Sequence, residues 1–488
     1  MAEYKDKSLE SEEEKNDEEA AEAYESFMEN KFDELVGMLD SKHYSDFIHA
    51  LENMNPVDAA DFFAYIPMSR IPAVFKLLKK DNAAAVFAEL DSELQEKIIT
   101  AMTDREITVI IEDLFVDDAV NMLSELPANI VHRIMRNTTP ETRAEINKLL
   151  SYPVDSAGSV MTAEFVDLHA DMTCAQAIDH IRKTGVEKET VYNAYVTDPG
   201  RILIGTVSFK DLLFSPPDKK IGDIMNDSMI FAYTLDDRET VAKTISKYDL
   251  LALPVVDKEK RLVGIVTVDD ALDVIREETT EDIEKMAAIM PTDKPYIKTG
   301  VFETWKKRIP WLLLLMVSAI FTSTIITHYE TAIGTYAILT AFFPMLMDTG
   351  GNAGSQASVT IIRGLSLAEI EMRDFFKVIW KEFRVSLLCG VCLAAACFIK
   401  TIAIDFKFQT STVLDNGTIQ NNLIIAGIIS ITIFFAVVVA KLIGAILPIG
   451  AKRIGLDPAV MASPFITTIV DTITLIIYFT IASHILHF

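Results

Sequence analysis

The sequence predicts a multidomain membrane protein: a soluble all-α superhelix, a duplicated α/β unit, an amphipathic connecting helix and a membrane domain of five helices. Three observations predict it. The chain has 488 residues and a net charge of -26, but residues 311–488 hold 10 Lys+Arg against 10 Asp+Glu. All the excess acid therefore lies before them, in an acidic soluble body that precedes a neutral apolar one. Two families of internal repeat occupy the acidic body. Five apolar runs, about 310–328, 332–362, 383–403, 422–447 and 459–486, are each long enough to cross hydrocarbon.

Residues 1–31 open with a run of acids and few apolar residues, and read as a disordered tail. From 32 to 150 short amphipathic helices recur. Asp58-Ala-Ala-Asp-Phe-Phe-Ala-Tyr-Ile-Pro67, Asn82-Ala-Ala-Ala-Val-Phe-Ala-Glu-Leu-Asp91 and Asp118-Ala-Val-Asn-Met-Leu-Ser-Glu-Leu-Pro127 share one apolar spacing. Neighbouring copies of such helices share a core and form a superhelix.

The second repeat has an offset of 59 residues. Gly205-Thr-Val-Ser-Phe-Lys-Asp-Leu212 matches Gly264-Ile-Val-Thr-Val-Asp-Asp-Ala271, and Ala194-Tyr-Val-Thr-Asp198 matches Leu253-Pro-Val-Val-Asp257. Ser159-Val-Met161 and Asp223-Ile-Met225 open the two copies, 151–220 and 221–275. The pair resembles tandem cystathionine-β-synthase (CBS) domains. That resemblance implies an adenine nucleotide such as ATP, with Asp211 and Asp270 at the position that reaches ribose hydroxyls and Ser208 also in the nucleotide site; a structural pair without nucleotide is the alternative. Lys210 and Lys243 do not decide between the two.

Residues 276–305 read as a connecting helix that continues an acidic pattern. Asp270, Asp273, Glu277 and Glu281 fall on one helical face, with Glu278 and Asp282 beside it. A solvated connector paired with Arg276 and Lys285 is the plain reading, and a cation-sensing face is the sharper one. The membrane domain follows at 306–488. Lys306-Lys-Arg308, Arg363 to Arg384 and Lys452-Arg453 flank alternate ends of the runs. The positive-inside rule then places the N-terminal body in the cytoplasm and the C-terminus outside a cell membrane.

Two polar features interrupt the apolar runs. Gly350, Gly351 and Gly354 surround Asn352 and Gln356, and the glycines permit an unwound turn and close helix contact. Carbonyl oxygens there suit a hard cation or its water shell. Asp471 lies well inside the last run with Thr467 and Thr468 one turn before it. An acid at that depth is costly and marks an ion path more often than a structural hydrogen bond.

Other chemistries are disfavoured. The acidity repels nucleic acid. The four cysteines form no disulfide framework, and Cys389-x-x-Cys392 reads as small-residue packing. The N-terminus carries no signal-peptide pattern. Neither a His-Glu-x-x-His nor a phosphate-binding Gly-Lys loop is present, so neither a metalloprotease nor an ATPase is expected.

Tyr152-Pro-Val-Asp-Ser-Ala-Gly158, the Gly350–Gln356 phrase preceded by Pro344, and Asp457-Pro-Ala459 with Asp471 after it closely resemble the MgtE family of magnesium channels. The resemblance runs nearly end to end. It implies a homodimer in the lipid bilayer, not an enzyme, that carries Mg²⁺ down its electrochemical gradient. It implies a pore lined by Asp471, Asn352, Thr467 and Gly351, with Asp457 near its cytoplasmic mouth. The 270–282 segment matches a plug helix that closes the pore when Mg²⁺ binds Asp249, Asp270, Asp273, Glu278, Glu281 and Asp282. Asp117 or Asp118 is the expected partner from the N domain. Asp348 and Ser355 fall where the family varies. The alternatives are a CBS-regulated transporter of another divalent cation such as Co²⁺ or Mn²⁺, and a non-conducting membrane sensor.

Overall fold

The computed structural model describes residues 23–292, 296–297, 299–330, 336–367, 369–413, 419–461 and 463–487. The first 22 residues of the expected tail lie outside the described residues. The chain divides into two compact units, Met1–Ile275 and Arg276–Phe488.

The first unit begins with helix α1 (23–40), which starts inside the stretch expected to be disordered. Tail composition misleads there because Met28, Phe32 and Leu35 recur on one face and are buried. Phe32 packs against Phe62 at a ring distance of 5.7 Å. Nine short helices follow: α2 (Tyr44–Glu52), α3 (Pro56–Tyr65), α4 (Ile71–Phe75), α5 (Lys80–Ala88), α6 (Ser92–Ala101), α7 (Asp104–Asp113), α8 (Val116–Glu125), α9 (Ala128–Asn137) and α10 (Pro140–Leu149). Several starts are written in the sequence. Asn55 and Thr139 cap helices that begin with Pro, and Thr103 forms a reciprocal capping box with Glu106. From α3 to α10 each helix packs on the one two places along, which generates the superhelix. An aromatic spine, Phe62–Phe63–Phe75–Phe87, has ring separations of 5.6 to 6.0 Å. Such pairs add roughly 0.5–1.5 kcal/mol each beyond burial.

The two α/β copies superpose in register as well as in sequence. In the first, β1 (Asp167–His169) runs parallel to β2 (Asn193–Thr197), which is antiparallel to β3 (Leu203–Ser208). In the second, β4 (Ala232–Tyr233), β5 (Ala252–Val256) and β6 (Leu262–Thr267) repeat that order. Ala194 opposes Val207 and Leu253 opposes Val266, the same pairing at the repeat offset. The opening segments are exchanged between copies. Met225 lies against Gly205, Met161 lies against Gly264, and a Cβ on either glycine would come within 2.7 Å of the sulfur. The repeated glycine is thus the seat for the other copy's methionine. Helices α11 (Cys174–Thr184), α12 (Phe209–Phe214) and α13 (Arg238–Lys247) complete the copies. Helix α14 (Val268–Met286) begins in this unit and ends in the second.

The second unit holds α15 (Val301–His328), α16 (Phe343–Ser366), α17 (Phe375–Lys400), α18 (Asn422–Arg453) and α19 (Ser463–Leu486). Four of these are long and apolar enough to span a membrane; α16 is long enough but too polar by composition. Helix α18 is central and packs against α16, α17 and α19. The expected unwound turn in α16 is absent, because the helix runs unbroken through Gly350–Gly354. The glycines serve approach instead. A Cβ on Gly350 would meet Thr474 Oγ1 at 2.8 Å, one on Gly354 would meet the Ala440 carbonyl at 3.2 Å, and Gly444 lies directly on the Gly354 carbonyl. Backbone-to-backbone contact of this kind is how helices pack where hydrocarbon supplies no hydrophobic drive. No backbone carbonyls are freed beside Asn352.

Candidate functional site

In the second unit Asp471 is half-buried on α19, and among the described residues it accepts no hydrogen bond. A Cβ on Gly351 would lie 3.7 Å from Asp471 Oδ1 and 3.1 Å from Thr467 Cγ2. The absence of a side chain at Gly351 therefore leaves room at the carboxylate. Thr467 and Thr468 both donate their hydroxyls to the Pro464 carbonyl, at 2.9 and 3.0 Å, so Thr467 shows Gly351 its methyl group. Asn352 is one residue on and is exposed on a different face of α16. With Gln356 it lines an open concavity against α17 and α18 that Asp471 does not line. Ser355 accepts a hydrogen bond from Ser463 at 2.8 Å.

The first unit gathers acids from three elements. Asp117 and Asp118 stand on α8, Asp270 in the first turn of α14, and Glu164 and Glu189 in the loops of the first α/β copy. Asp117 is buried, and its Oδ1 has no hydrogen-bond partner; Glu189 Oε2 is likewise buried without one. Burial, followed by repulsion from Asp270 and Asp118, pushes the Asp117 carboxyl up to about 8. Burial and the Asp269 charge push Glu189 to about 7. Asp118 rises to about 6 through burial and Glu89, and Asp270 rises to about 6 through burial against the opposing hydrogen bond from Thr267. Asp273 and Asp269 act with burial to raise Glu89. The charges that act most strongly on Asp117, Asp118, Asp270 and Glu189 are negative. Among the described residues no three carboxylates, histidines or cysteines converge into a ready metal site. The arrangement suits cations that keep their water and sit between carboxylates rather than inside a cage. Asp249 is not part of it; it occupies an exposed left-handed turn (φ 51°) after α13.

The acids of the second unit are differently placed. Lys285 Nζ lies 2.5 Å from Glu281 Oε1 and 2.6 Å from Asp457 Oδ2. Burial alone would lower this ammonium, but the bonds to Asp457 and Glu281 outweigh it and hold it above the ordinary lysine range. Asp282 accepts from Ser366 Oγ at 2.9 Å. Glu281, expected as a regulatory acid, and Asp457, expected at the pore mouth, therefore already have a cation, one the chain supplies itself. Glu278 is half-buried and has an interaction partner.

Ser208 caps α12 and donates to Asp211 Oδ2 at 2.6 Å, while the Asp211 amide donates back at 3.1 Å. Thr267 and Asp270 repeat the side-chain bond at 2.6 Å in the second copy. The sequence reading missed Glu89, Glu164, Glu189 and Asp269 as members of the acidic group. Only Asp269 carried a signal, its adjacency to Asp270. Buried Glu382 and Lys441 were also missed, although each is a charge inside or at the edge of an apolar run.

The family profile described as "Divalent cation transporter" matches residues 343–481, that of the "MgtE intracellular N domain" matches 54–155, and the CBS profile matches 157–217 and 221–277. A protein of Thermus thermophilus named "Magnesium transporter MgtE" is 33% identical over 436 residues, 88% of this chain and 93% of its own. One of Bacillus subtilis with the same name is 29% identical over 93% of this chain and 97% of its own. A crystal structure of "the soluble part of a magnesium transporter" matches with a TM-score of 0.50 at 30% identity, covering 51% of this chain and 99% of that one.

Proposed function

Because the chain belongs to the MgtE family of divalent cation transporters, which are not enzymes, we propose that it carries Mg²⁺ through a membrane and closes when cytosolic Mg²⁺ rises. The observation that carries the proposal is Asp471, a half-buried and unbonded carboxylate on an apolar helix, with Gly351 leaving space at its oxygens. An acid held there without a structural partner needs a cation or water to stabilise it. Five spans cross the bilayer, α16 among them, with the N-terminal domains cytoplasmic and the C-terminus outside. Two copies each contribute an Asp471 to one central pore, and Thr467 borders the path. An inside-negative potential drives a divalent cation by about 4.6 kcal/mol per 100 mV, which removes the need for ATP hydrolysis.

Closure follows from the acidic group of the first unit. Without Mg²⁺, Asp117, Asp118, Glu189 and Asp270 repel, and the contact between α8 and the start of α14 loosens. Hydrated Mg²⁺ between them holds it shut, and α14 acts as the plug. Moving a gate from 1:99 to 99:1 takes about 5.5 kcal/mol, within reach of several weak ions acting together. The buried, partnerless oxygens of Asp117 and Glu189 support this reading. ATP is the proposed ligand at Ser208 and Asp211.

The test is Mg²⁺ flux into proteoliposomes under an imposed potential, with Asp471→Asn beside the wild type. Flux in the wild type and its loss in the variant are expected. A folded wild type that passes no Mg²⁺ at very low cytoplasmic-side Mg²⁺ would leave the sensor reading. Flux of Co²⁺ or Mn²⁺ in preference to Mg²⁺ would reassign the cargo.

A further inference from the structure

The second unit carries two largely buried ionisable residues that the proposed ion path does not use. Glu382 on α17 is 9% exposed and Lys441 on α18 is 6% exposed. Both line one open concavity of about 780 Å³, with Asn352, Gln356 and Thr360 of α16 and Val385 of α17. Among the described residues neither has a hydrogen-bond or ion-pair partner, so the two do not neutralise each other directly. Their side chains are largely covered by neighbouring helices while their charged ends open into the concavity, and ionisable residues placed so in membrane helices mark ligand or ion sites. The concavity is also large for a hydrated ion, falling within the range of organic ligands.

The charge pattern selects the ligand. A simple cation would be held by Glu382 and repelled by Lys441, and a simple anion would meet the reverse. A zwitterion with separated charges satisfies both. The carboxamides of Asn352 and Gln356 donate and accept, and so serve either end of it.

Depth selects its source. Glu382 is seven residues past the start of α17 at Phe375, and Lys441 twelve before the end of α18 at Arg453. At 1.5 Å per residue these are about 10 and 18 Å from the helix ends that bear the basic loops. That is the head-group and upper acyl level of the leaflet on that side.

We propose that this concavity is a site for a zwitterionic phospholipid head group of the phosphatidylethanolamine class. Lys441 takes the phosphate, Glu382 the primary ammonium, and the acyl chains leave past Val385. The proposal rests on the membrane placement of α16–α18 and not on which ion passes. A choline head group has no N–H to give Glu382, and a glycerol head group has no cation at all.

The full-length protein, purified from membranes, is exchanged into nanodiscs of equal phosphatidylethanolamine, phosphatidylcholine and phosphatidylglycerol, and retained lipid is counted by native mass spectrometry. Wild type should retain phosphatidylethanolamine over phosphatidylcholine by about tenfold, one charge-assisted hydrogen bond's worth. Glu382→Gln should bring that ratio near one, Glu382→Asp should keep most of it, and Lys441→Gln should lower retention of all three lipids. The aspartate variant separates loss of the site from loss of the fold. An unchanged ratio in Glu382→Gln overturns the proposal and leaves this face to a second copy of the chain. Equal discrimination with free phosphoethanolamine on delipidated protein overturns the lipid as the source. Because the readout is bound lipid, a failure of Mg²⁺ flux would not be mistaken for a failure here.

Discussion

Two groups of acids in this chain have opposite electrostatic designs. In the first unit, Asp117, Asp118, Glu189 and Asp270 are pressed together, and the charges that act on them most strongly are negative. In the second unit, Glu281 and Asp457 close on Lys285 at 2.5 and 2.6 Å. A group without its own cation changes free energy when an external cation arrives, and a group already neutralised changes little. Under the proposed function, the first group would respond to Mg²⁺ and the second would hold. The duplicated α/β unit supplies an internal control. Asp211 and Asp270 occupy equivalent positions, yet Asp211 is exposed beside Ser208 while Asp270 joins the acidic group.

The largest expected effect comes from erasing the responsive group. In Asp117→Asn/Asp118→Asn/Asp270→Asn, amide exchange in α8 without Mg²⁺ should slow to the rate of Mg²⁺-loaded wild type. Added Mg²⁺ should then change it less than about twofold, where the wild type changes by tenfold or more, the effect of about 1.4 kcal/mol. Flux in the variant should lose its dependence on cytoplasmic-side Mg²⁺. A wild-type Mg²⁺ response in the triple variant would place the sensor elsewhere.

Protons should mimic the ion. These carboxyls titrate in the folded protein at about 6 (Asp118, Asp270), about 7 (Glu189) and about 8 (Asp117). An unfolded carboxylate titrates near 4. The folded values are raised, so the folded form binds protons more tightly. The stability this contributes is full below about pH 4 and is lost as pH rises through 6 to 8. In Mg²⁺-free buffer, the protection of α8 amides, taken relative to their intrinsic exchange at each pH, should therefore fall between pH 6 and 8, and Mg²⁺ should protect most at the alkaline end. A flat pH profile would contradict the burial of Asp117.

The contrast also shows what sequence can reveal. The α/β duplication was legible because its offset carries backbone requirements, such as Gly205 and Gly264 seating Met225 and Met161. The helical superhelix was legible from its repeated apolar spacing, although the first helix hid in the acidic tail. Asp471 was legible because a lone acid stands out in an apolar run. Glu164 and Glu189 were not, since a loop acid looks the same whether it faces water or Asp117. The unwound turn expected at Gly350–Gly354 failed because glycine lowers the cost of both unwinding and close approach. Only the position of Gly444 and Thr474 on neighbouring helices decides between them.

The holding group should give a smaller effect. Lys285→Gln leaves Glu281 and Asp457 facing each other without a cation. The pair is partly exposed, with side-chain accessibilities of 25% and 34%, so screening trims its worth to about 1 kcal/mol. If this contact holds α14 in the closed form, the Mg²⁺ concentration that half-closes the channel should rise about fivefold, with flux at low Mg²⁺ unchanged. Lys285→Arg should restore closure. A Gln variant that closes at the wild-type concentration would show that the contact stabilises the fold and not the gate.

The smallest effect on the gate itself is expected at the twin. Asp211→Asn keeps the size of the side chain and can still receive the Ser208 hydroxyl bond, so the cap of α12 survives. It removes the charge that would accept two ribose hydroxyls. ATP affinity, measured by calorimetry on the full chain, should fall about tenfold, while the Mg²⁺ and pH dependence of α8 exchange stays as in the wild type. The same substitution at Asp270 should do the opposite, altering the α8 response and sparing ATP. If Asp211→Asn disturbed α8, or Asp270→Asn abolished ATP binding, the two copies would share one function. The division between a responsive acid and an exposed one would then fail at the position where the sequence repeats itself most closely.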